Sequence, residues 1–265
     1  MFAESPAEAF RLRFGQETDG LPDLGRFLNH RSVRHYLDKD VPRETVAGLV
    51  AAAQSAATSS NLQLYSIVSV REPDLRQQIN AASGDQRAIA ECPWFFAFVV
   101  DLHRIRLAAL EHGEPCAGLD LVEFLIMGAV DAALAAERMV CAAESLGLGI
   151  CYIGGLRNNP DQINQLLQLP NGCFGVFGLC LGWPASDADH IKPRLPQASV
   201  WHEEAYDPAH GIGDYDERMA AFYAQEGLNA NAAWSERSGK RCRPDRQSGR
   251  EVWLDFLHRH GIAMR

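Results

Sequence analysis

Nearly every position between Phe124 and Ala143 is apolar, and only Asp131 and the pair Glu137-Arg138 break the pattern. At 1.5 Å per residue, residues 119–147 would make a helix of about 40 Å. A helix that is hydrophobic around its whole circumference has to be covered on every side, by a large sheet and other helices or by a second subunit. It is not a membrane span. The stretch Leu119–Leu148 holds Asp120, Glu123, Asp131, Glu137, Arg138 and Glu144, and so lacks the run of about 18 uncharged residues that a bilayer core requires. The helix therefore predicts a buried core element and, through its surplus apolar surface, a homodimer.

The 265 residues, 47% of them hydrophobic, supply enough apolar material for a sizeable core. A net charge of −9 argues against nucleic acid or an anionic membrane as the main partner, because both reward clustered Lys and Arg. Seven cysteines (Cys92, Cys116, Cys141, Cys151, Cys173, Cys180 and Cys242) form no CxxC pair, and several lie inside apolar runs. Reduced, buried thiols in a cytoplasmic protein are the expectation. The first 15 residues lack the apolar centre of a signal peptide. Ser5, Pro6 and Glu8 instead form the capping box of an amphipathic helix.

Further along, Val41-Pro42 opens a helix whose apolar positions Val46, Leu49, Val50, Ala53 and Ala57 recur at helical spacing. It ends in the polar cluster Thr58–Asn61, and Tyr65–Val70 follows as a short strand. A weakly amphipathic helix begins at Asp74. The run Trp94–Val100, aromatic and valine-rich, reads as a strand buried on both faces. Asp101–Gly118 gives no periodic signal. Past the long helix, Gly147 and Gly149 stop it, Ile150–Ile153 is a strand broken by Gly154-Gly155, and Asn159-Pro160 restarts a helix through Leu167. Val176–Trp183 is the last apolar strand. Beyond Pro184 the chain turns polar, with helices expected at Tyr215–Gln225 and Glu251–His260 and a mobile, Arg- and Lys-rich segment at Ser235–Ser248. No repeat or long linker divides the chain. The reading is one α+β domain, with a core at about 24–183 and an extension at about 184–265.

Several motifs fail. His202-Glu203 starts a zinc-protease pattern, but Tyr206 occupies the place of the second histidine, so no metal is expected. There is no G-x-S-x-G elbow and no Walker loop, and the glycines at 147–155 lack the G-x-G-x-x-G spacing. Cys151 has no histidine near it in sequence and reads as a structural thiol. One constellation remains. His30-Arg31-Ser32-x-Arg34 puts two guanidinium forks, a hydroxyl and an imidazole within five residues, a donor set suited to a phosphate.

That pattern belongs to a longer one. HRSVRHY, TSSNLQ, GDQRAIA, AESLGLGICYIGGLRNN, FGLCLGWP and KPRLP stand here in the order and at about the spacings found in the nitroreductase superfamily. Over roughly residues 24–260 the chain resembles the branch of oxygen-insensitive NADPH nitroreductases and NADPH-flavin oxidoreductases. The resemblance implies a central, mostly antiparallel sheet flanked by helices, with a long buried central helix, in an intertwined homodimer with two sites at the interface.

It also implies bound FMN. His30, Arg31, Ser32 and Arg34 would hold its phosphate and ring edge, and Thr58, Gln63 and Gln86 would add contacts. Tyr152, Ile153, Gly154 and Gly155 would pass along one ring face, and Lys192 and Arg194 would complete the site. A cation beside the pyrimidine end favours the charge of reduced flavin. NADPH or NADH would reduce the flavin, and nitroaromatic or quinone-like acceptors would reoxidise it from the same position in a ping-pong cycle, with no catalytic side chain. At the place of an arginine that pairs with the NADPH 2′-phosphate in relatives this chain has Glu226, while Arg250 matches a second basic position. Reduction of free flavin, a non-catalytic flavin-binding module and a flavin-consuming relative are the alternative readings.

Overall fold

The computed structural model describes residues 3–18, 22–185, 190–209, 211–227 and 233–262. The chain divides into two compact units. Residues 32–186 and 248–265 make a sheet unit, while residues 1–31 and 187–247 make a smaller, mainly helical one.

The sheet unit is built on four strands, β1 (Tyr65–Val70), β2 (Trp94–Asp101), β3 (Gly149–Ile153) and β4 (Cys173–Gly182), in the order β1-β2-β4-β3. Every pairing is antiparallel. All eight residues of β2 are buried, because the sheet has helices on both faces and its strand residues alternate between them. Trp94, Phe96 and Phe98 pack with the central helix Val122–Ser145, while Phe95, Ala97 and Val99 face a cluster that includes Ile79 and Ile163, from the helices Pro73–Ala82 and Pro160–Leu166. The apolar strand expected at Trp94–Val100 is thus the centre of the core.

Small residues set the layer spacing. The central helix turns Ala132, Ala135, Ala136, Met139, Val140 and Ala143 to the sheet, all with no solvent exposure. A side chain at Gly128 would lie 2.7 Å from Val100, and one at Gly178 would lie 2.4 Å from the Phe95 ring. Only a bare backbone fits either place.

Val122, Ile126, Val130 and Leu134 form an i, i+4 stripe on the same helix that is 44–54% exposed. The helix is thus covered on its sheet side and leaves an apolar stripe outside. Around the sheet, the uninformative segment after Asp101 contains the helix His103–Glu111 and a 3-10 turn at Cys116–Asp120. The helix Trp253–Arg259 returns to the sheet unit, with Phe256 and Leu257 buried beside Val100, Leu102 and Phe174. Cys92, Cys151, Cys173 and Cys180 are buried, Cys116 and Cys141 are half-buried, Cys242 is exposed, and all seven are free thiols.

In the smaller unit the helix Pro6–Phe14 is capped by the Ser5 hydroxyl, which accepts the Glu8 N–H at 3.1 Å. The Glu8 carboxylate turns back to the Glu4 N–H, one residue before the cap and so beyond the expected box. Tyr215, Met219 and Phe222 of the helix Tyr215–Gln225 form its apolar centre. The segment expected to be mobile contains a helix instead, Trp234–Arg241, whose start is tied by Ser235 to the Asp216 carboxylate. Among the described residues no helix is long and apolar enough to cross a membrane, and no cluster of His, Cys, Asp or Glu could hold a metal.

Candidate functional site

In the sheet unit a strip of extended chain runs beside β3. The Val33 N–H donates to the Ile150 carbonyl at 2.8 Å, and Ser32 pairs with Ile150 in parallel. Val33 and Tyr36 take the inward places, and the Tyr36 hydroxyl donates to the Val33 carbonyl at 2.7 Å. Arg34 is thereby left exposed, with one long hydrogen bond to the Ser32 carbonyl at 3.4 Å. The basic residue points outward because its neighbours are needed inside.

β3 carries Tyr152, its one exposed residue, and runs into the 3-10 turn Gly154–Arg157. The Tyr152 ring meets Phe177 edge-on at 5.4 Å, and its hydroxyl donates to the Glu137 carboxylate at 3.1 Å. Although the residue as a whole is 37% exposed, desolvation of its hydroxyl end and then the Glu137 charge hold the Tyr152 hydroxyl above its ordinary pKa. It stays a donor at neutral pH. Gly155 admits no side chain, because a Cβ there would stand 2.3 Å from the Ser83 carbonyl. That carbonyl also accepts from the Gln86 and Asn158 amides, both at 3.4 Å, so Gln86 is brought to the same turn. Arg250 donates to the Gly154 carbonyl at 2.9 Å and to the Asn158 side chain at 3.0 Å. Ser32, Arg34, Gln86, the run Tyr152–Gly155 and Arg250 therefore gather on the β3 side of the sheet.

Thr58 and Gln63 do not. They lie in the loop that leads into β1, the opposite edge strand. Ser60, Asn61 and Gln63 adopt positive φ angles of 49°, 56° and 53°, a conformation that non-glycine residues enter only when their surroundings impose it. Asp131 imposes it from the central helix. Fully buried, it accepts the Ser59 N–H at 2.8 Å on one oxygen and the Leu64 N–H at 3.0 Å on the other. Arg104 reaches the carbonyls of Gln63 and Tyr65 from outside, each at 3.3 Å, and is itself held by Asp101 at 3.0 Å.

In the smaller unit, Arg31 is buried and Arg194 exposed. The Lys192 ammonium lies 5.8 Å from the rings of both Phe222 and Tyr223. Glu226 is paired with His190 through a short carboxylate–imidazole contact and is largely buried.

Asp131, Glu137, Arg104 and Asn158 were not singled out as site residues. For the first two the sequence did carry a signal, since they are among the few charges on an otherwise apolar helix. A charge retained on such a surface needs a partner: Asp131 has the loop N–H groups of Ser59 and Leu64, and Glu137 has the Tyr152 hydroxyl on β3.

The chain matches the profile of the nitroreductase family over residues 28–116 and 122–183, and that of the nitroreductase family C-terminal domain over 192–265. It is 37% identical over 249 residues to an oxygen-insensitive NADPH nitroreductase of Salmonella typhimurium, covering 92% of this chain and 99% of the relative. It is 40% identical over 204 residues to an FMN reductase (NADPH) of Bacillus subtilis, covering 75% and 82%. Among solved structures, the NfrA1 nitroreductase of B. subtilis superposes with a TM-score of 0.84 at 35% identity, over 91% of this chain and 98% of the other. An NADPH:FMN oxidoreductase of Vibrio harveyi complexed with NAD+ gives 0.79 at 34% identity, over 91% and 98%. The shared segments span the strip, the glycine turn and the tail alike, and this chain belongs to the nitroreductase family.

Proposed function

We propose that this protein is a cytoplasmic FMN-dependent oxidoreductase that takes reducing equivalents from NADPH or NADH and passes them to nitroaromatic and quinone-like acceptors. The observation that carries the proposal is the family match over both the sheet and the tail, joined to a donor set that suits a flavin mononucleotide. Arg34 and Ser32 supply a cation and a hydroxyl for a phosphate beside β3. Gly154 leaves the turn without a side chain where a flat ring has to lie close, while Gly155 is bare because the Ser83 carbonyl packs against it. Bound FMN would supply the two-electron exchange between donor and acceptor.

The chain's own residues bind and orient. Arg250 holds the Gly154 carbonyl and so fixes the turn, a supporting role beside the dinucleotide contact that the resemblance implies. Glu137 holds the Tyr152 ring at the end of β3. In the smaller unit His30, Arg31, Lys192 and Arg194 are the family-matched cofactor residues, and Glu226 with its His190 partner occupies the dinucleotide position. No side chain is assigned a covalent or proton-transfer role.

Two observations support a homodimer. The stripe Val122, Ile126, Val130 and Leu134 leaves apolar helix surface uncovered. The Thr58–Gln63 loop and the Ser32/Arg34 strip stand at opposite sheet edges of one chain, and a second copy would bring one copy's loop to the other's strip. Reduction of free flavin is the second reading, favoured by the B. subtilis relative named FMN reductase. Anaerobic reduction of the bound flavin by NADPH, followed by recolouring with a nitroarene, tests the proposal. A flavin that NADPH leaves oxidised would overturn it.

A further inference from the structure

The helix Pro6–Phe14 precedes residue 28, where the family profile begins. One of its charged side chains is nevertheless almost wholly buried. Arg13 is 6% exposed, and its guanidinium is spent on backbone carbonyls from two distant segments. Nε and Nη2 converge on the Leu28 carbonyl at 3.1 and 2.7 Å, Nη2 also reaches the His30 carbonyl at 2.7 Å, and Nη1 reaches the Lys192 carbonyl at 3.3 Å. The contact is reciprocal. The Arg13 carbonyl accepts the Arg194 N–H at 2.7 Å and an Arg218 nitrogen at 3.2 Å, and a second Arg218 nitrogen donates to the Arg194 carbonyl at 3.0 Å.

The two segments joined in this way are the starts of HRSVR and KPRLP, separated by some 160 positions in the chain. Their joining has a directional consequence. A trans peptide is planar, with its N–H opposite its C=O, so a guanidinium that fixes the His30 carbonyl also fixes the direction of the Arg31 N–H. At Lys192 the following residue is Pro193, which has no N–H, so there the contact sets the plane of the Lys192-Pro193 peptide and with it the course of the chain. A guanidinium is suited to this because its planar fork offers five donors and keeps its charge when buried. The helix end is a favourable place for it, since the last turn carries the negative end of the dipole. The position is strictly set. Gly15 closes the helix at φ +70°, and a Cβ there would stand 2.6 Å from the Arg218 side chain.

We propose that the N-terminal helix is a clasp, and that Arg13 is a positioning residue that holds the His30 and Lys192 segments in the geometry needed to grip the cofactor. The inference rests on the proposed FMN function, to which it adds an element outside the family-matched region. The test uses the full chain stripped of flavin, titrated with FMN and followed by flavin fluorescence, together with amide hydrogen exchange. Arg13→Met keeps the buried stem and removes the fork. It is expected to raise the FMN Kd at least tenfold and to speed exchange in residues 28–31 and 192–195, leaving β2 at 94–101 unchanged. Arg13→Lys, which keeps the charge and can be used if the first variant does not fold, is expected to raise Kd at least threefold. Arg11→Met, on the exposed side of the same helix, should stay within twofold of the unmodified protein. If both Arg13 variants bind FMN as the unmodified protein does, or if exchange rises as much in β2 as in the clasped segments, Arg13 is not a positioning residue. Failure of the unmodified apoprotein to take up FMN would instead overturn the functional reading itself, and the clasp's role with it.

Discussion

Asp131 accepts the backbone N–H of Leu64 at 3.0 Å with one carboxylate oxygen, while its other oxygen holds Ser59 at 2.8 Å. One buried side chain thus fixes both ends of a loop that contains three non-glycine residues at positive φ. Asp131→Asn keeps the shape but turns one acceptor into a donor facing an N–H. A charge-assisted bond is lost and a buried donor left without a partner, so the variant is expected to be less stable by about 1–3 kcal/mol. Urea denaturation measures this, and a loss below about 0.5 kcal/mol would mean that the loop holds its own conformation.

Alkaline pH tests the Tyr152–Glu137 pair. Burial, and then the Glu137 charge, raise Tyr152, while burial is the leading cause at Tyr65 and Tyr215, which are also raised. An unfolded tyrosine ionises near about 10. Below that pH both states hold the proton and these groups add no slope. Above it the unfolded chain loses protons that the folded one keeps, so stability falls as pH rises. Tyr152→Phe should make this fall shallower between about pH 10 and 11. An unchanged slope would place Tyr152 in a more watery setting than its contacts indicate.

The sequence made the sheet's centre legible because β2 is buried on both faces and cannot hide its composition, and the central helix because its apolar run is long. It did not reveal the strand order, which depends on contacts far apart in sequence. That order separates Thr58 and Gln63 from the strip at Ser32 and Arg34, although linear motifs placed all of them in one site. The helices at His103–Glu111 and Trp234–Arg241 were missed for a different reason, since neither buries a residue and so neither shows an apolar period. Nothing in the residues around Arg13 marks it out in the sequence. Only its carbonyl partners, 15 to 179 positions away, give it a role.

The uncovered stripe on the central helix leads to a prediction about assembly. A homodimer should persist to sub-micromolar concentration, and Ile126→Glu together with Val130→Glu should weaken it by placing two charges where apolar surface is otherwise buried. Sedimentation velocity reads this directly. A folded, flavin-bound monomer at micromolar concentration would remove the dimer from the account.

The dinucleotide contact proposed for Glu226 leads to a prediction about the electron donor. A carboxylate repels the 2′-phosphate of NADPH and can accept from the ribose hydroxyls of NADH, although its pairing with His190 moderates the repulsion. Both donors should work, with NADPH favoured by no more than about tenfold in kcat/KM, equivalent to about 1.4 kcal/mol. Glu226→Arg should widen that ratio. A preference above about a hundredfold in the unmodified protein would mean that other cations recruit the phosphate.

Whether this chain holds a flavin is read directly from the absorption spectrum of the purified protein. The two visible bands of oxidised flavin should be present, or should return when FMN is added to the stripped protein, with the flavin then retained through gel filtration. A colourless protein that cannot be reconstituted with FMN would contradict the account.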